Sequence, residues 1–210
     1  MLLLRIIPGL IFALLCQFAL AGAYEDMLDA VKKDDLPAIN QLLKRGLDAN
    51  TTDGEGNSLL ILAAKDGRVE AVKSFLAAQA HVNARNALGE SALMLAALHG
   101  HLEVVRHLLA QGAQVNQPGW SPLIYAAVQG NVNLSRLLLA YGAQINATAD
   151  NGYTALMMAA REGHSELVSL LIANGADLNL KTEAGVTALV AARQKKRQDI
   201  VDLLVKAGAQ

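Results

Sequence analysis

From residue 53 onward the sequence keeps returning to itself, and that restricts the chain to folds built by stacking copies of one small unit. Asp53 to Arg85 comes back from Asn86: Gly56 aligns with Gly89, Ser58 with Ser91, Leu60 with Leu93, and Gly67 with Gly100. Ala63-Ala64 aligns with Ala96-Ala97, and Asn83 with Asn116. Gly119, Gly152 and Gly185 continue the first series at spacings of 33, 30, 33 and 33 residues. Ala126-Ala127, Ala159-Ala160 and Ala191-Ala192 continue the alanine pairs, and Leu28 to Asn50 matches the second half of a unit. Six units result, 24–52, 53–85, 86–115, 116–148, 149–181 and 182–210, the first and last atypical. No unit this short buries its own apolar stripe, so neighbours must stack and the end units must act as caps.

Each unit predicts a pair of helices. The early Gly suits a turn with positive φ, and the Ser or Thr two residues later (Ser58, Ser91, Ser121, Thr154, Thr187) reads as a helix N-cap. Ser121-Pro122 adds proline at the first helical position, where a missing N–H does no harm. The first helix ends in the Ala-Ala pair and is stopped by Gly67, Gly100, Gly130 or Gly163. The second carries apolar residues at helical spacing, such as Leu102, Val105, Leu108 and Leu109, and leaves through Gly112, Gly142, Gly175 or Gly208. Composition agrees: 53% of the residues are apolar but only 4% aromatic, so the core is made of Ala, Leu and Val. The fold class expected is an all-α repeat solenoid.

The runs GYTALMMAAREGHSELVSLLIANGADLN (Gly152 to Asn179) and GESALMLAALHGHLEVVRHLLAQGAQVN (Gly89 to Asn116) closely resemble the ankyrin repeat family. The resemblance recurs in register over nearly all of residues 27–210. It implies a curved stack of helix-turn-helix units with projecting hairpin fingers. Three departures stand out. Ile61, Met94, Ile124, Met157 and Val190 replace the family's His, so apolar packing is expected where the family has a polar tie. Gln79 replaces an exit Gly, which costs about 1–2 kcal/mol if the left-handed conformation is kept. Three residues are missing before Trp120, so that finger should be truncated, leaving a notch with Trp120 at its edge.

No catalytic constellation is present: there is no H-E-x-x-H, G-x-S-x-G or G-x-x-x-x-G-K-[ST]. Gly54-Glu55-Gly56 lacks the third Gly of a dinucleotide loop. His99, His101 and His107 come nearest to a metal cluster, but His101 and His164 hold the family's Gly-His position and are expected to be structural. The chain is therefore read as a non-enzyme with no cofactor and no metal. With 18 basic and 19 acidic residues it has no broad cationic face for nucleic acid. The basic run Arg193 to Arg197 is expected to be a solvated cap.

The resemblance implies a protein partner, bound on the concave face made by finger tips and first helices. Carried over position by position, the candidate contacts are Asn57, Lys65, Glu90, His99, Trp120, Gln129, Tyr153, Arg161, Glu162 and Lys181. Asp66, Arg85, Leu98 and Val128 fall on the same face. After residue 23 the only aromatics are Tyr24, Phe75, Trp120, Tyr125, Tyr141 and Tyr153; Trp120 and Tyr153 occupy adjacent finger positions, and Trp and Tyr dominate many binding interfaces. The competing account of Trp120 is that it covers apolar surface bared by its short loop. A monomer is expected.

Residues 1–23 read as a cleaved export leader. Arg5 precedes the apolar run Ile6–Leu20, and Ala19-Leu20-Ala21-Gly22-Ala23 offers cuts after Ala21 or Ala23. Cleavage removes Arg5 and Cys16, leaving 17 basic against 19 acidic residues, a formal charge of −2 and no thiol, which suits an oxidising compartment. No membrane attachment is then expected. Three sequons occur, at Asn50, Asn133 and Asn146; Asn50 and Asn146 use the family's loop Asn, whose side chain should bond backbone rather than carry sugar, which mildly favours a bacterial periplasm. Similar small exported ankyrin proteins of Gram-negative bacteria have been connected with peroxide protection beside catalase genes, and others with toxin immunity. The alternative role is thus a stress-protective or immunity accessory acting on a periplasmic or membrane enzyme.

Overall fold

The structure, a computed structural model, describes residues 22–210. The apolar run of the leader, Arg5, Cys16 and the cut after Ala21 therefore lie on or at the edge of residues outside those described. Helix α1 covers residues 22–33 and pairs with α2 (Leu36–Lys44). The later pairs are α3 (Leu59–Lys65) with α4 (Val69–Ala77), α5 (Ala92–Leu98) with α6 (Leu102–Ala110), and α7 (Pro122–Gln129) with α8 (Val132–Ala140). Then come α9 (Ala155–Glu162) with α10 (Ser165–Ala173) and α11 (Ala188–Gln194) with α12 (Gln198–Lys206). Six helix-turn-helix units stack in sequence, as the repeat arithmetic requires.

Local chemistry sets the helix starts. The side chains of Ser58, Ser91, Ser121, Thr154 and Thr187 each accept from the backbone N–H three residues on, at 3.2 or 3.3 Å. The first helices α3, α5, α7, α9 and α11 pack one on the next as an inner row, and the second helices form an outer row beside them. Inner helices approach closely because their facing residues are small: Ala63, Ala64, Ala96, Ala97, Ala126, Ala127, Ala159 and Ala160 are all 0% exposed. Ile61, Met94, Ile124 and Met157 are buried between these helices, while Val190, in the end unit, is half-buried.

Two ladders of hydrogen bonds tie unit to unit. Along one edge Asn50, Asn83, Asn116, Asn146 and Asn179 accept through Oδ1 from the N–H of His81, Gln114, Gln144, Asp177 and Gln210, at 2.7–3.0 Å. Asn50 and Asn146 are thus engaged with backbone, as read from the sequence. The second ladder uses the residue after the helix-stop position in three units, while Asp35 and Asn131 at the same position cap their own second helices. The Arg68 guanidinium donates to the Lys32 carbonyl at 3.0 Å, His101 Nε2 to Lys65 at 2.9 Å and His164 Nε2 to Val128 at 3.0 Å. His101 and His164 are therefore structural ties. The stop position itself is left-handed even where glycine is absent, at Asp34 (φ 56°) and Lys196 (φ 56°). Gln79 keeps the exit conformation at φ 64°.

Candidate functional site

The fingers are short hairpins pinned by two backbone bonds across the turn, one of them from the turn glycine N–H (Gly56 to Asp53, Gly89 to Asn86, Gly152 to Ala149, Gly185 to Thr182). Asp53 N–H donates to the Asn57 carbonyl, Asn86 to Glu90, Ala149 to Tyr153 and Thr182 to Val186, at 2.9–3.1 Å. Isolated bridges Thr52↔Ser58, Arg85↔Ser91 and Thr148↔Thr154 accompany three of them. Among the described residues the fourth finger has neither feature, because Asn116 is followed directly by Gln117, Pro118 and Gly119.

Trp120 turns inward over this gap. Its ring stacks on Tyr125 of α7, centroids 5.4 Å apart and planes 30° off parallel. Both rings are half-buried and pack against the core. A cavity of about 200 Å³ opens here, walled by Leu88, Glu90, Pro118, Trp120, Tyr125 and Asp150. The Tyr125 hydroxyl donates to Glu90 Oε1 at 3.5 Å, and burial followed by the Glu90 charge pushes the phenol up from 10.0. Leu88 stands at the tip of the third finger, 83% exposed, beside the shortened fourth finger.

A polar chain reaches the same point from the second unit. Asn57 donates to Asp53 Oδ2 at 3.0 Å and to Glu55 at 3.2 Å, and accepts at 2.9 Å from Asn86, whose amide also donates to Glu90 Oε2 at 3.0 Å. Burial acts to raise the Asp53 carboxyl, but bonds from Asn57 and Glu55, with the Lys65 charge, hold it below the usual range. Asn57 is only 8% exposed with its amide fully engaged, so it belongs to the scaffold rather than to free surface. Glu90 and Trp120 share one cavity. Tyr153 lies apart from it under Arg161, whose Cζ is 6.0 Å from the ring centroid, and Arg161 Nε meets Glu162 Oε1 at 3.5 Å. Lys65, His99, Gln129 and Lys181 are exposed, His99 with its ring 6.0 Å from that of His101. Among the described residues no group of His, Cys, Asp or Glu is placed to hold a metal ion, and no helix is long and apolar enough to cross a membrane.

A family model, ankyrin repeats in three copies, matches residues 27–118, 72–149 and 123–210, which together span all six units. The chain is an ankyrin repeat protein. Membership makes it a protein–protein interaction module of a family that is typically non-catalytic. No curated protein matches the chain. Two residues of the ankyrin face were not singled out from sequence. Leu88 aligns with Glu55, Asn151 and Ala184, and an apolar tip among these is visible once the register is written out. Tyr125 aligns with Leu95 and Met158, which are buried, and with Leu62, which is half-buried, so its position in the repeat does not by itself mark it as accessible.

Proposed function

We propose that this ankyrin protein is an exported, non-enzymatic binding module that grips one protein partner with its finger-side face. The anchor is the notch at the fourth finger, where Leu88, Trp120 and Tyr125 expose apolar area. Tyr153 and Arg161 extend it by one unit, and Lys65, Glu90, Glu162 and Lys181 fix register. A single observation carries the reading: a stacked Trp–Tyr pair is left half-open in a fold whose fully buried core is aliphatic or Met apart from Phe75. Rings with two torsions give large contact area at small entropic cost, which is why they anchor interfaces.

Export is supported by the leader-like run and by the absence of any cysteine after residue 16. Ala23 packs against the core, so a cut after Ala21 preserves that contact while a cut after Ala23 loses it. The engaged Asn50 and Asn146 side chains support a compartment without N-glycosylation, the periplasm. Capture of the partner from a periplasmic extract, compared between wild type and Trp120→Ala, tests the reading. Undiminished capture by the variant contradicts it.

A further inference from the structure

The truncation of the fourth finger removes one strand and leaves the place of that strand intact. Five residues separate Asn83 from Gly89 in the third unit, but only Gln117 and Pro118 separate Asn116 from Gly119. In the other fingers that strand supplies the N–H that reaches the carbonyl of the second strand, as Ala149 does to Tyr153 at 2.9 Å. The corresponding carbonyl is that of Trp120, and no backbone N–H among the described residues reaches it. The second unit also has a return bond, Leu59 N–H to the Thr51 carbonyl at 3.3 Å. Its counterpart donor is Pro122, which has no N–H. Pro118 likewise offers none. The fourth finger therefore leaves the Trp120 carbonyl without a backbone donor, and the Gly119 N–H lacks the turn bond that its counterparts in the other fingers make.

A cavity of about 440 Å³ occupies the vacated position, between Gln117, Pro118 and Ser121 on one side and Gln144, Ala147 and Thr148 on the other. That volume falls within the ~300–1,000 Å³ of ordinary ligand sites. No charged side chain lines it. Gln117 is 7% exposed, and its Oε1 is buried with no donor, a costly arrangement that a bound N–H relieves.

We propose that this slot receives an extended, uncharged segment of the partner protein, about three residues long, which completes the fourth finger in trans. One N–H of the segment reaches the Gln117 amide, and small side chains fill the space between the fourth and fifth fingers; Trp120 lines the neighbouring cavity of about 200 Å³ and not this one. Strand addition of this kind draws affinity from main-chain bonds and specificity from side-chain volume. The proposal rests on the reading of the chain as a protein-binding module and adds where, and by what chemistry, the partner enters.

The test uses acetyl-Ala-Thr-Ala-amide, the sequence of residues 147–149 of the fifth finger, titrated into ¹⁵N-labelled protein. Saturable shifts confined to residues 116–121 and 144–148 and to the Gln117 side-chain amide are expected. Inserting Ala-Thr-Ala between Asn116 and Gln117 fills the slot with the chain's own strand and should abolish them; Ala147→Phe does so without changing loop length. Absence of saturable shifts in the wild type, or shifts that survive in both variants, overturns the proposal. The two readings fail separately. A partner lost with Trp120→Ala but bound equally by the insertion variant removes the slot and leaves the binding module standing.

Discussion

Substituting Ala for Gly130 tests whether the imidazole ladder, rather than apolar stacking alone, holds the units in register. Gly130 has φ +69°, and a Cβ placed there would sit 2.4 Å from His164 Nδ1 and 2.6 Å from its Cγ. The ring must move away and release the Val128 carbonyl, which it now holds at 3.0 Å. Gly142 is the control: its φ is +83°, and a Cβ there meets nothing within 4 Å. Both variants carry about 1–2 kcal/mol of left-handed strain, lessened equally by the reduced entropy of the unfolded chain. Only Gly130→Ala also loses the hydrogen bond, worth about 0.5–1.5 kcal/mol, and disturbs packing against α10. Urea unfolding should rank Gly130→Ala below Gly142→Ala by at least that amount. In a His164→Ala background the excess should vanish, because the obstructing ring is gone. Equal costs for the two glycines, or an excess that persists without His164, would refute the argument.

Two further outcomes follow from the same geometry. Gln79 holds φ 64° at an exposed site, so Gln79→Gly removes about 1–2 kcal/mol of strain against about 0.4–1 kcal/mol of added chain entropy. A net gain of about 0.5–1 kcal/mol is expected in urea unfolding. The Tyr125 phenol is raised in the folded state, first by burial and then by Glu90, so the folded form holds its proton more tightly than the unfolded form. Its contribution is complete below pH 10.0 and is lost as pH rises through the higher folded value. Tyr125→Phe should shallow the alkaline fall in stability, while Tyr24, also raised by burial and by Asp53, keeps a share of it.

The scaffold was legible because each instruction is written several times in register. Five caps, four alanine pairs and the series of turn glycines agree with one another, and register marks Gln79 as the occupant of an exit-glycine position, where the structure gives φ 64°. The same logic reaches Lys196, which follows Gly67, Gly100, Gly130 and Gly163 in the series. Asn57 was less legible. Its family position is a finger tip, but its fate depends on Asn86 in the next unit, a pairing across units that no single repeat displays. The site was half-visible for a related reason. The missing residues announced a notch and Trp120 beside it, yet Tyr125 sits on α7 at a position that is buried in two units and half-buried in another, so one repeat does not show that it is accessible. Trp120 packs on Tyr125 and the core, as the covering account expects, while part of its ring stays open for the proposed contact.

That double role makes one paired measurement decisive: the affinity of Trp120→Ala for the captured partner and the stability of the same variant. Loss of the Trp120–Tyr125 stack should cost about 0.5–1.5 kcal/mol of folding stability. Loss of the anchor should weaken binding by about 2 kcal/mol or more, roughly 30-fold in Kd, with the variant fully folded at the assay temperature. An affinity unchanged in the folded variant would contradict the assignment of this face as the binding site.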